Sequence, residues 1–345
     1  MADNTLRAYL PRLVRREDLS RDEAGLLLEA LLDQDSTDAQ VAAVLVALAA
    51  KGETVEELAG MAIALRGRAV RIDSQHRTFI DTAGTGSSSA KTFNVSTAAT
   101  FVIAAAGLPV AKHGNRAASS RSGSADVLNE LGIRIDALPE ISQRSLNEIN
   151  ICFMFAPLYH RATARVASVR RELGIPTAFN LLGPLSNPAG APRQIIGVSR
   201  RDLVTRMAKV LAALDVDRAW VVHGEDGLDE ITVAANTFVA EAQGGTVRTF
   251  EIEPKTFGLW RGSLEHLRGG DARANAQIIR EVLSGKRRDE ARALVIANAA
   301  AALFVGGVSA SLLNAARKAE ESIDSGAALK KLAQLVEATN QRGDP

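Results

Sequence analysis

The 345-residue chain has a single cysteine, Cys152, so it can build neither a disulfide framework nor a Cys-rich metal centre. Its five histidines are scattered, which argues against a histidine-cluster metal site. Aromatic residues make up only 4%, too few for the stacking platforms that single-stranded nucleic acid requires. Neither sign of charge dominates: 41 Lys and Arg stand against 40 Asp and Glu, a net +1 that suits a general polyanion binder poorly. Long apolar runs are missing too. The longest, residues 41–50, is too short to cross a bilayer, and the mixed residues 1–10 do not read as a signal peptide. Together these absences point to a cytoplasmic protein with no membrane and no nucleic-acid partner. What is present is a 46% hydrophobic content, which excludes disorder as the dominant state and suits about two domains. Alanine is abundant and favours close helix packing.

The chain changes character near residue 72. Before it, Leu6, Leu10, Leu13 and Val14 recur at helical spacing. Ser20 with Glu23 forms a capping-box pattern before Leu26, Leu27, Leu28, Leu31 and Leu32. Ser36 or Thr37 can cap a third helix that ends at Gly52, and Thr54 with Glu57 opens a fourth. Four amphipathic helices without strands predict a small all-α N-terminal domain over residues 1–72. After it, short β-prone segments at residues 78–82, 108–111, 151–155 and 220–222 alternate with helical stretches at 98–106 and 127–131. Each strand enters a polar loop. That pattern predicts a larger α/β domain, residues 73–345, with a mostly parallel central sheet flanked by helices and a site at the carboxyl ends of its strands.

Four of these loops carry chemistry. The first runs Asp81-Thr-Ala-Gly84-Thr-Gly86-Ser87-Ser88-Ser89-Ala-Lys91-Thr92-Phe-Asn94-Val95-Ser96-Thr97. Glycines let backbone approach an anion, and hydroxyls, amides and a following helix N-terminus supply donors. A plain turn with a Ser/Thr cap explains an isolated loop of this kind equally well. It is not a P-loop, because Thr85 and Ala90 fill both glycine positions, nor a dinucleotide fingerprint, because Ser89 fills the third. The second loop, Lys112-His113-Gly114-Asn115-Arg116-Ala117-Ala118-Ser119-Ser120-Arg121-Ser122-Gly123-Ser124, combines cations with four serines. An exposed basic turn accounts for Lys112 and Arg116 but not for the serines, so a phosphate-bearing ligand is favoured. In the third segment Arg170 can grip a carboxylate, or simply sit on a solvated helix face, before the turn Gly183 to Pro188. In the fourth, Asp229 and Glu230 follow a glycine turn and can hold Mg²⁺ together with substrate oxygens. An acidic loop alone is usually solvated surface; its weight comes from the two phosphate-type loops beside it.

Taken in order, Lys112-His-Gly-Asn-Arg116 continuing to Asp126, Arg170 to Pro188, and Asp226-Gly-Leu-Asp-Glu-Ile231 make the chain resemble the anthranilate phosphoribosyltransferase family over nearly its whole length. The wider family includes pyrimidine nucleoside phosphorylases. The resemblance implies a helical domain, joined by helices near residues 168–185, and an α/β domain with the active site between them. It also implies a homodimer formed through the helical part, and Mg²⁺ as cofactor. The implied reaction joins anthranilate to 5-phosphoribosyl 1-diphosphate, the second step from chorismate toward tryptophan. Carried over by position, Gly84, Ser87, Ser88, Thr92, Asn94, Val95, Ser96, Thr97, Lys112, His113, Gly114, Asn115, Arg116, Ala117, Ala118, Ser119, Ser120 and Ser124 are the expected phosphoribosyl diphosphate contacts. Gly84, Asn115 and Arg170 are the expected anthranilate contacts, and Ser96, Asp229 and Glu230 the expected magnesium ligands. One departure stands out: where the family reads Gly-Thr-Gly-Gly-Asp, this chain has Ser87 and Ser88 in the last two places. A glycine's freedom and a carboxylate are lost. Serine hydroxyls still donate to phosphate and Lys91 adds positive charge, so binding of the sugar diphosphate is still expected. The rival readings are a pyrimidine nucleoside phosphorylase and a non-catalytic, nucleic-acid-binding relative.

Overall fold

A computed structural model describes residues 5–86, 92–117, 121–265 and 267–341. The first four helices are α1 (Thr5–Val14), α2 (Arg21–Leu32), α3 (Asp38–Lys51) and α4 (Val55–Gly67). Ser20, Thr37 and Thr54 cap the last three, each with a full capping box closed by Glu23, Gln40 and Glu57. A cap of this kind is worth about 1 kcal/mol. Glu57 does more than cap. Its buried carboxylate accepts from Thr54 N at 2.8 Å, Leu19 N at 2.9 Å and Lys51 Nζ at 2.9 Å, tying three segments of the bundle together. α2 and α4 approach so closely that a Cβ at Gly60 would lie 1.9 Å from the Arg21 carbonyl oxygen.

The remaining chain runs β1 (Ile80–Gly84), α5 (Val95–Ala105), β2 (Val110–Gly114), α6 (Ser124–Glu130), α7 (Pro139–Ile149), β3 (Ile151–Phe155), α8 (Ala156–Tyr159), α9 (Ala164–Leu173), α10 (Ala178–Leu185), β4 (Arg193–Gly197), α11 (Asp202–Ala213), β5 (Arg218–Gly224), β6 (Thr237–Gln243), β7 (Thr246–Ile252), α12 (Ala272–Leu283), α13 (Glu290–Val305), α14 (Leu312–Asp324) and α15 (Ala327–Asn340). Among the described residues the strands form one seven-stranded sheet ordered β3-β2-β1-β4-β5-β6-β7. Pairings from β3 through β5 are parallel; β6 and β7 add antiparallel. An N-terminal helical bundle therefore accompanies a larger α/β part. Helices α9 and α10 turn back to share the bundle's apolar cluster, with Val166, Val169, Leu182 and Leu185 among Leu28, Leu45 and Leu58. A second cluster packs α5 against α13, whose Ala297, Ala299, Ala300, Ala301 and Ala302 are all fully buried. Small side chains let those two helices come close enough to bury their backbones.

The chain lays down β1, β2 and β3 toward one edge, then crosses back to place β4 on the other side of β1. That reversal is the switch point of an open parallel sheet, where a crevice opens beyond the carboxyl ends of the strands. Gly84 of β1 and Gly197 of β4 are in register at that edge. The sequence expectation placed the first two strands slightly early, at 78–82 and 108–111, and stopped the fourth short at 222. The helix expected at 98–106 begins at Val95, so its first turn brings the Ser96 amide to the Glu230 carboxylate. β4, β6 and β7 were not anticipated.

Candidate active site

The crevice floor is set by buried polar groups on β1 and β2. Lys112 is almost fully buried, and its Nζ donates to the Thr82 carbonyl oxygen at 2.5 Å and to Thr82 Oγ1 at 3.4 Å. Burial pushes its pKa down, while Asp81 and Glu230 pull it back up. Asp81 accepts from His113 N at 3.2 Å and from Asn187 Nδ2 at 2.7 Å. The same Asn187 amide nitrogen donates to the Ala111 carbonyl oxygen at 2.8 Å, so one side chain clips β1, β2 and the turn after α10 together. Desolvation lifts Asp81 to about 6, against the opposing pull of Lys112 and its hydrogen bonds.

The acidic pair stands over this floor. Glu230 Oε1 accepts from Ser96 N at 3.1 Å, at the positive end of α5. Gly197 has no room for a side chain, since a Cβ there would lie 1.7 Å from the Asp229 carbonyl oxygen. The Asp229 carboxylate also approaches Gly84, 3.5 Å from where its Cβ would be. Desolvation, then the neighbouring Asp229, push Glu230 up to about 7, with Lys112 and Ser96 working the other way. Two crowded carboxylates of this kind are hard-oxygen donors that fit a divalent cation. Among the described residues no three His, Cys, Asp or Glu gather, so a divalent ion held by this pair would need further ligands such as substrate oxygens and water.

The second loop lies alongside. Arg116 and Asn115 are exposed, and Arg116 Nη1 pairs with Asp126 at 2.9 Å. Asp126 also accepts from Ala117 N at 3.0 Å and Gly123 N at 2.9 Å, which folds the loop back on the start of α6. Gly114 must be glycine: a Cβ would meet Ser124 Oγ at 2.3 Å and the Phe153 ring at 2.8 Å. Ser124 Oγ donates to the Asn115 carbonyl oxygen at 3.3 Å. Asn94 precedes α5 without capping it; its Nδ2 donates to Ser122 O at 3.4 Å and its Oδ1 accepts from Asn275 Nδ2 at 3.0 Å. Thr92 bridges to Arg268. The side chains of Val95 and Thr97 are buried, and Thr97 Oγ1 has no partner among the described residues. Ser87, Ser88, Ala118, Ser119 and Ser120 lie outside the described residues.

His113 turns toward α10 rather than outward. Burial, with His160 at 5.1 Å between ring centroids, holds its imidazole down near 3, while a backbone hydrogen bond to Gly183 works the other way. His160 is held near 4 by burial, its Nε2 bonded to Ser186 O at 3.0 Å. Both rings are therefore neutral near pH 7, with His113 Nε2 and His160 Nδ1 unpartnered among the described residues. Arg170, near the end of α9, is half-buried; its guanidinium lies 5.2 Å from the Phe179 ring centroid, and Nη2 donates to Asn180 Oδ1 at 3.4 Å. Burial lowers its pKa.

The residues thus brought to one strand edge are Gly84, Ser96, Lys112, Asp229 and Glu230, drawn from four segments. What the sequence reading missed is the layer behind them. Asn187, Asn275 and Asn298 are all buried, and Asp81 carries more than its place in a loop suggested. The available signal was a lone amide in an apolar stretch, as in Ala297-Asn298-Ala299.

A Glycosyl transferase family, helical bundle domain matches residues 7–69, and a Glycosyl transferase family, a/b domain matches residues 76–329. The anthranilate phosphoribosyltransferase of Desulfosudis oleivorans is 47% identical, covering 97% of this chain and 98% of that protein. That of Anaeromyxobacter dehalogenans is 51% identical, covering 96% and 97%. The crystal structure of anthranilate phosphoribosyltransferase from Thermus thermophilus superposes with TM-score 0.90 at 38% identity, covering 96% of this chain and 98% of that one. The Saccharomyces cerevisiae enzyme in complex with phosphoribosyl diphosphate and Mg also gives 0.90, at 29% identity and 99% coverage of both chains. With two matched domains in order and full-length relatives this similar, the chain belongs to the anthranilate phosphoribosyltransferase family of glycosyl transferases.

Proposed function

We propose that this chain transfers the 5-phosphoribosyl group from 5-phosphoribosyl 1-diphosphate to the amine of anthranilate, giving N-(5-phosphoribosyl)anthranilate and diphosphate. The observation that carries it is the meeting, at the sheet's switch point, of a buried cation, a helix N-terminus and an acidic pair, Lys112, Ser96 and Asp229-Glu230. Those are the partners a doubly phosphorylated sugar needs.

In the reaction the bond from the ribose carbon to the diphosphate oxygen breaks as the anthranilate nitrogen bonds to that carbon from the opposite face. The amine gives up one proton, and diphosphate leaves with its electron pair. Magnesium, when bound, neutralises the leaving group's charge. The chain's own residues do the rest. Asp229 and Glu230 would hold the cation with the Ser96 segment, and Lys112 and the second loop, from Gly114 to Ser124, bind phosphate oxygens, while His113 braces the strand behind them. Asn115 and Gly84 face the sugar and the acceptor. Arg170, braced by Phe179 and Asn180, grips the anthranilate carboxylate and fixes the amine's direction of attack. An aromatic amine is nucleophilic at neutral pH, so orientation supplies much of the rate without a strong base. The two buried histidines are uncharged and leave the site's positive charge to Lys112 and the arginines.

The same reading divides the chain near residue 72, with α9 and α10 completing the helical part. It makes the protein a cytoplasmic homodimer formed through that part, where Val14, Leu26 and Ile63 expose apolar surface. Among the described residues no helix is long and apolar enough to cross a membrane. The test is the loss of anthranilate fluorescence with phosphoribosyl diphosphate and Mg²⁺, with diphosphate released one for one. Phosphorolysis of thymidine or uridine in place of that transfer would refute the reading.

A further inference from the structure

The acidic pair is followed by Ile231, and Ile231 is gripped by one side chain. Its N–H donates to Asn298 Oδ1 at 3.0 Å, and its carbonyl oxygen accepts from Asn298 Nδ2 at 2.9 Å. The second hydrogen of that amide goes to the Leu294 carbonyl oxygen at 2.9 Å, one turn back along α13. Asn298 is 4% exposed and sits in a helix face otherwise made of alanine, leucine and valine. A buried amide in such a face is costly unless every bond is made. Here they are made, and two of the three go to a residue 67 positions away.

The location of that residue gives the contact its meaning. Ile231 adjoins Glu230, whose carboxylate bonds the Ser96 amide of α5. α5 itself packs along α13. One rigid helix therefore supports both sides of the Glu230–Ser96 contact, α5 by packing and the Glu230 backbone through Asn298. On the opposite side the Asp229 carbonyl is pressed against Gly197 of β4. The acidic segment is thus fixed at both ends, with the Asn298 amide satisfying both backbone polar groups of Ile231.

We propose that Asn298 is a positioning residue for the cation site: it sets where Glu230 stands and thereby how tightly the chain holds a divalent ion with the sugar diphosphate. This rests on the assignment of Asp229 and Glu230 to the cation. The experiment measures Mg²⁺ binding calorimetrically in the presence of phosphoribosyl diphosphate and without anthranilate, and Mn²⁺ binding by electron paramagnetic resonance, so neither readout depends on turnover. The proteins compared are wild type, Asn298→Ala, Glu230→Gln, the double variant and Thr339→Ala. Thr339 is a comparably buried polar residue on α15, bonded to Leu335 O, and controls for simple loss of stability.

Asn298→Ala is expected to weaken cation binding about ten- to hundredfold, as losing the support behind a metal ligand does. Its kcat should return at high Mg²⁺. The double variant should bind no more weakly than Glu230→Gln, because Asn298 acts through Glu230. Thr339→Ala should bind like wild type. Asn298→Ser, whose hydroxyl is too short to span to Ile231, should repeat the alanine result and serves if alanine does not yield folded protein. Wild-type cation affinity in Asn298→Ala or Asn298→Ser, with Glu230→Gln weakened, overturns the proposal alone. Unchanged affinity in Glu230→Gln overturns the cation assignment and the proposal with it.

Discussion

Replacing Gly197 with alanine tests the geometry of the acidic loop with one methyl group. The new Cβ would lie 1.7 Å from the Asp229 carbonyl oxygen and 2.7 Å from its carbonyl carbon. Ordinary contacts begin near 3.5 Å, so the Asp229 peptide must retreat by roughly 2 Å. β4 cannot give way easily, because it is paired along its length with β1 and β5. Ile231 is pinned by Asn298, so the displacement falls on Asp229 and Glu230 themselves. Overpacking of this kind costs about 1–3 kcal/mol. For a chain of 345 residues, that lowers the melting temperature by roughly 1–4 °C. Moving reacting or binding groups by an ångström or more costs turnover about a hundredfold. Gly84→Ala is the internal comparison, since its Cβ would meet Asp229 Oδ2 at 3.5 Å, an ordinary contact, and should cost little stability. Calorimetric melting and the anthranilate fluorescence assay across a Mg²⁺ series read both effects. A Gly197→Ala protein with wild-type melting and wild-type turnover would show that the acidic loop tolerates a side chain at residue 197.

Three further outcomes are expected. Arg170→Ala should lower kcat/KM for anthranilate about 10- to 100-fold, the worth of a charge-assisted hydrogen bond, and leave the KM for phosphoribosyl diphosphate near wild type; steady-state kinetics varying each substrate decides it, and an equal loss for both substrates would contradict the assignment. Glu57→Leu removes the buried partner of Lys51, which keeps Asp18 at 2.7 Å and the Gly52 carbonyl oxygen, and takes the acceptor from the Leu19 and Thr54 amides; it should cost about 2–4 kcal/mol in urea unfolding; a loss under about 1 kcal/mol would show that the network contributes little. Asp81, lifted from 3.8 to about 6, favours the folded state when protonated, so its contribution is complete below pH 3.8 and is lost as pH rises through 6. The stability of wild type relative to Asp81→Asn should therefore fall by on the order of 3 kcal/mol between about pH 4 and 7, and a flat difference would rule out the shift.

The local half of the structure was legible because its causes are local. Ser20 with Glu23 and Thr54 with Glu57 announce helix starts, and both close as capping boxes. The loops after the strands were legible as loops from their glycines and serines. The β6–β7 hairpin was overlooked although Gly244-Gly245, both with positive φ, supply the turn it needs. Spacing along the chain is silent on the fact that Ser96 and Glu230 touch across 134 positions, because only the strand order brings them together. The asparagines behind the site were hidden for a related reason. Asn187 and Asn298 look like misplaced polar residues until the distant backbone they bind is known. His113 read as a loop residue among phosphate donors, yet its ring is buried against His160 and α10.

Both reactants are expected in the crevice at the ends of β1, β2, β4 and β5, with Arg170 on the acceptor. A crystal structure of the protein with phosphoribosyl diphosphate, Mg²⁺ and a non-reactive anthranilate analogue measures this directly. The diphosphate is expected between Lys112, the Ser96 amide and the cation held by Asp229 and Glu230, and the analogue's carboxylate on the Arg170 guanidinium. Density for the two ligands elsewhere on the molecule, with this crevice filled only by water, would contradict it.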